Sequence, residues 1–319
     1  MPSEAQKTAS PLLVVIAFAT VYIVWGSTYF FIRMAEQGGL PPFLLGAIRF
    51  TLAGLILMTW CVIKKEKIFV LRDILSAAVT GVLLLFVANG IVIWSEQTLP
   101  SAMVAILVSS APIWFVLLDK PNWGINLKNK ATIIGLVIGF VGVLLLFSEQ
   151  IGSLFTGLDA QSKLPWMLLL VLGTISWSGG SLYSKHHPAS VSASVNTAWQ
   201  MIAAGITYIP VSFMHGEYNN LDLSSIHTQS WVALLYLIIF GSIAAFSAYV
   251  WLLQVRPATQ VSTYAYVNPV IAVILGVVFA GESISFWQLA GLFTILGSVL
   301  LINLAKYRKE KKALELAVD

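Results

Sequence analysis

One membrane-like stretch occurs twice in this chain, half a chain apart. Trp94, Gln97, Pro100 and Pro112 recur as Trp251, Gln254, Pro257 and Pro269, each pair separated by 157 residues. The surrounding segments, IWSEQTLPSAMVAILVSSAP and VWLLQVRPATQVSTYAYVNP, both lie within apolar runs. The simplest reading of 319 residues organised this way is an internal duplication of a set of apolar helices. Two halves inserted oppositely into a bilayer create a midplane site reachable from either side, so the repeat constrains function as well as fold.

Composition says which solvent such helices need. The chain is 58% apolar and 10% charged, whereas a soluble domain averages about 25% charged residues. Its low-charge runs approach the roughly 20 residues that cross a hydrocarbon core. The chain therefore reads as an all-α integral membrane protein in contact with lipid. A single cysteine, Cys61, excludes an intrachain disulfide and a cysteine-based metal site. The apolar run from Pro11 to Ile32 is longer than the roughly 7–15 residues of a signal-peptide core and lacks a small-residue cleavage site, so it reads as the first membrane helix.

Apolar runs between charged or Pro/Gly-rich breaks give ten candidate spans: 11–32, 43–63, 73–95, 100–119, 131–147, 165–185, 192–213, 230–253, 258–280 and 286–305. The net charge of +4 raises nucleic acid as a partner, but the basic residues sort by loop instead. With the N-terminus inside, 15 of 18 Lys and Arg residues fall on the cytoplasmic side, among them Lys64, Lys65, Lys67, Lys185 and the tail from Lys306 to Lys312. Arg33 and Lys163 fall outside, and Arg49 lies within a helix. This asymmetry predicts both termini in the cytoplasm and no nucleic-acid partner.

Five spans per half is an odd number, so the second half must enter with opposite orientation. VWGSTYFFIR in the first span aligns with SWSGGSLYSK in the sixth, pairing Trp25 with Trp177 and Arg33 with Lys185. The expected organisation is a first five-helix repeat over 1–147, an outer connector over 148–164, a second repeat over 165–305 and a basic tail over 306–319.

WGSTYFFIR in the first span, AIRF in the second and TQVSTYAYVNPVIAVILGVVFAGESI in the ninth resemble the EamA branch of the drug/metabolite transporter superfamily. The resemblance spans nearly the whole chain, with Asn268-Pro269 and Gly281-Glu282 its most specific part, and points to bacterial YedA/YddG-type inner-membrane exporters. It implies an inverted-repeat bundle around a central cavity lined mainly by spans 1, 3, 4, 6, 8 and 9. It also implies export of amino acids and other small metabolites without a bound cofactor. The first half departs from the pattern, because Asp119-Lys120-Pro121 stands where the ninth span continues to Gly-Glu.

Arg49 sits about seven residues, or roughly 10 Å of helix, below the outer end of its span. A charge at that depth is costly and should face a cavity or a partner. The functional readings are attraction of a substrate carboxylate or gating on the outer side; the structural ones are an ion pair with Glu36 or Glu96, or a cap on backbone carbonyls where a helix breaks. Its repeat counterpart is Gln200, from the match of AIRFTLAG to AWQMIAAG. Pro112 and Pro269 are expected as hinges, since each frees a carbonyl that a neighbour, water or ligand must satisfy. Ser109, Ser110, Tyr264, Tyr266 and Asn268 flank them as candidate hydrogen-bonding groups. Trp25 and Trp177 are candidate walls of an aromatic cavity.

Glu96, Asp119 and Glu282 fall at span ends, where coupling to a proton or capping of a helix are the alternatives. The run Gly135-x-x-x-Gly139-x-x-Gly142 suits close packing within the bundle or a weak homodimer, and His186 and His187 read as solvated. The expected activity is secondary transport of a small amphipathic or aromatic solute by alternating access. Rival readings are a carrier of nucleotide precursors or lipid-linked sugars, which would need several fixed cations, and a passive channel. No HExxH or Ser/His arrangement suggests an enzyme.

Overall fold

A computed structural model describes residues 10–99, 101–148, 151, 160–219, 221–280 and 284–318. The described residues are helical or in turns, with no strand among them. α1 runs Pro11–Gln37 and α2 Pro42–Ile63. α3 starts as Leu71–Gly81, passes through a π-helical stretch Val82–Ala88 and ends as Asn89–Glu96. α4 (Ser101–Val108) and α5 (Ala111–Leu118) are followed by a short helix Trp123–Asn126 and by α6, Lys130–Leu146.

The second half begins with α7, Ala160–His186, and α8, Ala193–Met214. α9 comprises Thr228–Tyr236, a π-helical stretch Leu237–Ala244 and Ala245–Val255. One turn at Ala258–Val261 leads into α10, Tyr264–Ala280, and α11 is Phe286–Val318. The expected separate tail thus continues α11 as far as Val318. Most of the connector at 148–164 and the residues Gly281 and Glu282 lie outside the described residues.

Seven of these helices are long and apolar enough to cross a membrane, or eight if Val104–Leu118 and Lys120–Asn126, bent by 70° to one another, form one span. The ten spans read from the sequence exceed this by α6, which has 17 residues, and by α8. α8 carries Asn196, Thr197 and Gln200 on its buried face, which lowers its hydropathy without exposing those groups.

The helices pack mainly across the two halves: α2 lies along α8, α6 along α11, α1 against α9 and α10, and α7 against α3 and α5. The glycine seam of α6 is part of this packing. A Cβ at Gly135 would fall 2.5 Å from Ile302, one at Gly139 2.6 Å from the Tyr266 ring, and one at Gly142 2.8 Å from Ile295. α1 and α8 stop where the chain turns left-handed, at Gly39 (φ 96°) and Gly216 (φ 70°), a conformation that only glycine adopts without strain.

Polarity is arranged for lipid. Ser, Thr, Asn and Gln side chains fill the interior, while Leu12, Ile56, Leu168, Phe213 and Phe293 are exposed on the outside. Without water, buried polar groups must find partners inside the bundle. Two carboxylates do so across the halves. Glu217 accepts from the backbone N–H groups of Phe43 (3.0 Å) and Leu44 (2.7 Å) at the start of α2, and from Ser212 Oγ (2.6 Å). Asp73 accepts from Ser190 N (2.9 Å), Val191 N (3.1 Å) and Ser190 Oγ just before α8.

Each acid thus anchors the entry to a helix of the other half. Glu217→Ala orphans two helix-start N–H groups and is expected to cost about 2 kcal/mol. Thermal melting of the purified protein checks this, and an unchanged midpoint would remove Glu217 from the anchoring role.

Candidate functional site

A cavity of about 100 Å³ lies between α1, α2, α3, α7, α9 and α10, touched by Val108 and Ala111 at the α4–α5 break. One water molecule needs roughly 10–15 Å³, so the space holds several waters or part of a solute. Five of the residues expected from the sequence line it: Trp25, Arg49, Trp177, Tyr264 and Asn268. These come from spans 1, 2, 6 and 9, so α2 joins the set of lining helices through Arg49 and Phe50.

Its wall is aromatic. Trp25 meets Trp177 edge-to-face at 5.5 Å between centroids, Tyr249 at 4.9 Å and Tyr264 at 5.0 Å. The polar ends of these rings are tied down: Trp25 Nε1 donates to Gly241 O (3.1 Å), and Trp177 Nε1 to Tyr249 Oη (3.0 Å), which also meets Ser181 Oγ at 2.6 Å. The faces left toward the space are apolar, and the rings are rigid.

Of the described basic residues, Arg49 alone is buried, at 7% exposure. Its Nε donates to Ser242 Oγ at 2.8 Å, and its Cζ lies 4.8 Å from the centre of the Phe50 ring. Among the described residues it has no ion pair and neither Nη has an acceptor; the ion pair they contain is His186 with Asp119. Glu36 is not its counterion: among the described residues no ion pair joins the two, and Glu36 Oε1 is buried and unpartnered. The side chain of Glu96 lies outside the described residues.

The remaining polar groups on the wall are mostly occupied. Thr28 Oγ1 donates to Trp25 O (2.7 Å), Thr174 Oγ1 to Val171 O (2.8 Å) and Asn89 Nδ2 to Leu84 O (3.2 Å). Asn268 Oδ1, by contrast, is buried without a partner. The space therefore offers a cationic donor, Arg49, and a buried free acceptor, Asn268 Oδ1, in aromatic surroundings.

The other expected residues stand elsewhere. Pro269 has no N–H, which leaves the carbonyl of Ala265 open one turn earlier, and Ser109 Oγ lies 2.9 Å from it while also 2.7 Å from Ala105 O. Ser109 is thus a stitch between α4 and α10. Ser110 Oγ donates to Leu107 O (2.6 Å) and accepts from Trp114 Nε1 (3.3 Å). Tyr266 donates to Leu136 O (2.9 Å) in the core shared with α6 and α11. Gln200 is fully buried on α8, its backbone against Gly81 of α3, with both side-chain amide atoms unpartnered.

Pro112 opens α5 after a break at Ser109 and Ser110, whereas Pro269 lies inside α10. In the second half the break falls earlier, between Ala258–Val261 and α10. Asp119 accepts from Asn122 Nδ2 (3.0 Å) and Asn126 Nδ2 (3.2 Å) and meets His186 Nε2 at 3.1 Å. His186 is therefore not a merely solvated residue. It joins the end of α7 to the end of α5.

Residues that the sequence reading passes over complete the site: Thr28, Tyr29, Asn89, Thr174 and the pair Gly241-Ser242. The two π-helical stretches also sit here. The 157-residue spacing carries Val82–Ala88 onto 239–245, overlapping Leu237–Ala244. A π turn loosens the regular carbonyl ladder, and these stretches are often found at functional sites. Carbonyls in both are met by side chains from other helices: Leu83 by Ser176 (2.9 Å), Leu85 by Tyr208 (2.8 Å) and Gly241 by Trp25.

The EamA-like transporter family matches over residues 12–148 and again over 164–304. The chain belongs to the EamA-like transporter family.

It is 37% identical over 295 residues to the uncharacterized inner membrane transporter YedA of Escherichia coli strain K12, covering 91% of this chain and 90% of that one. Protein PecM of Dickeya dadantii is 28% identical over 306 residues, covering 92% and 94%. A solved crystal structure superposes with a TM-score of 0.76 at 19% identity, covering 93% of this chain and 98% of that one, which bears on the fold alone. The chain is accordingly a multi-pass inner-membrane protein of a transporter family, and its setting is lipid with a small-molecule substrate.

Proposed function

We propose that this EamA-family protein is a secondary transporter that moves small amphipathic or aromatic carboxylates, amino acids among them, out of the cytoplasm by alternating access. The carrying observation is Arg49, a buried guanidinium without a counterion among the described residues, facing an aromatic-walled cavity. A solute carboxylate supplies the missing charge through paired N–H···O bonds. Asn268 Oδ1 accepts from an ammonium or hydroxyl group, and Trp25, Trp177 and Tyr264 hold an apolar body. A single fixed cation among the described lining residues favours a monocarboxylate over a polyphosphate.

In this reading the chain crosses the bilayer ten times, counting the bent pair, α6 and α8, as two inverted five-helix repeats with both termini cytoplasmic. Pro112 and Pro269, beside the helix breaks, act as hinges.

The test is mass-spectrometric profiling of medium from cells expressing wild type, Arg49→Ala or no transporter, matched for protein level and fed amino acids. A carboxylate enriched by wild type and not by Arg49→Ala is expected. Equal enrichment by both forms would leave export standing and remove Arg49 from the pathway. No enrichment from any strain would overturn the export reading.

A further inference from the structure

Arginine can grip a carboxylate by its side edge, through Nε and one Nη, or end-on through its two Nη groups. In this protein the side edge is already engaged. Ser242 Oγ accepts from Arg49 Nε at 2.8 Å, and Ser242 is fully buried. The preceding residue is Gly241, where a Cβ would fall 3.0 Å from Arg49 Nη2 and 3.2 Å from Thr28 Cγ2. The peptide carrying both residues is fixed from a third helix, because Trp25 Nε1 donates to Gly241 O at 3.1 Å. This step lies within the π-helical stretch Leu237–Ala244 of α9.

We propose that Gly241 and Ser242 are positioning residues that orient Arg49 so that its two Nη groups, and not its Nε edge, receive a ligand carboxylate. The inference rests on the reading of Arg49 as the carboxylate site and adds how that site is held. Ser242 occupies the one donor that would otherwise offer a second binding geometry. Gly241 leaves the room that Nη2 requires. The Phe50 ring under Cζ restrains the guanidinium at 4.8 Å. One consequence is specificity for a planar end-on acceptor such as a carboxylate. Another is that the grip on substrate and the α1–α9 contact share one peptide group, since α9 supplies both.

A binding cycle with the full chain in lipid nanodiscs tests this. Benzoate is the probe, benzyl alcohol the uncharged control, and tryptophan fluorescence the readout, with Trp25 and Trp177 on the cavity wall. Ser242→Ala should weaken benzoate on the order of tenfold, because the released guanidinium no longer holds its two Nη groups toward the ligand. Ser242→Thr, which keeps the hydroxyl, should restore wild-type affinity. Lysine has no Nε, so in an Arg49→Lys background Ser242→Ala should change nothing further. Gly241→Ala should weaken benzoate by a larger factor than it weakens benzyl alcohol.

If Ser242→Ala binds benzoate as wild type does while Arg49→Lys does not, the positioning role is overturned and the carboxylate site survives. Equal losses from Ser242→Ala in the wild-type and Arg49→Lys backgrounds overturn it as well. If wild type shows no benzoate-dependent change, the carboxylate reading of the cavity fails, and the positioning role with it. Thermal midpoints run in parallel separate misfolding from weakened binding, and Ser242→Thr supplies the second, conservative variant.

Discussion

Arg49→Leu is expected to reduce carboxylate transport on the order of a hundredfold while leaving the thermal midpoint unchanged or higher. The two readouts move apart because one residue serves binding at the expense of folding. Charge-assisted bonds contribute about 1.5–3 kcal/mol each, and two of them to one carboxylate reach a hundredfold even after partial compensation. The same guanidinium lies buried with a single hydrogen-bond acceptor, Ser242, and no ion pair among the described residues. A basic side chain at such depth costs about 2.5–3.5 kcal/mol on insertion scales, a cost that leucine relieves. A structural ion pair would behave oppositely, since deleting one partner strands the other and destabilises by roughly 3–5 kcal/mol. Uptake of the exported carboxylate into everted vesicles, measured beside melting curves, reads both numbers. A lower midpoint with flux retained would sink the substrate-site assignment.

The second large effect lies where the halves touch. Gly81→Val is expected to leave no monodisperse protein, whereas Gly297→Val should purify normally. A Cβ at Gly81 would fall 2.1 Å from the backbone O of Gln200, while one at Gly297 meets nothing within 4 Å. Backbone cannot swing aside as a flexible side chain does, so α3 and α8 would have to separate. Overpacking ordinarily costs about 1–3 kcal/mol, and a clash against a helix backbone belongs above that range. Size-exclusion profiles of both variants, extracted in one detergent, make the comparison. Equal recovery would mean that α3 and α8 are not held as closely as described. Gly81 ends the regular turn of α3 just before its π-helical stretch, so the close approach and the irregular backbone occur together.

Much of this is open to reading residue by residue. Arg49 stands out because charge is rare in an apolar run, and the structure places it on the cavity. Trp25 and Trp177 emerge from their matched places in the two halves and meet as a ring pair. Ser109 and Tyr266 stand out only by proximity to Pro112 and Pro269 in the chain, and this is where such reasoning fails. One residue along a helix turns a side chain by about 100°, so neighbours of a lining residue face other helices. Tyr264 and Asn268, four apart, share the cavity face, and Tyr266 between them points into the α6–α11 core. Gly241-Ser242 carries a faint signal, since Gly/Ser pairs mark irregular helix in apolar stretches. Nothing in periodicity shows that this pair meets Arg49, 193 positions away.

Apolar content suffices for a helical membrane protein, while the sorting of Lys and Arg by loop and the recurring Trp, Gln and Pro positions carry the expectation of orientation and of a duplicated plan. These features depend on each segment's own transfer into lipid and on its own charges, so they are local and legible. What encloses the cavity, which carbonyls the π-helical stretches leave for Trp25, Ser176 and Tyr208, and which acceptor holds Arg49 depend on helices from opposite halves coming together. Those contacts follow from packing angles and backbone register, which no single segment encodes, and the site exists only once they are made.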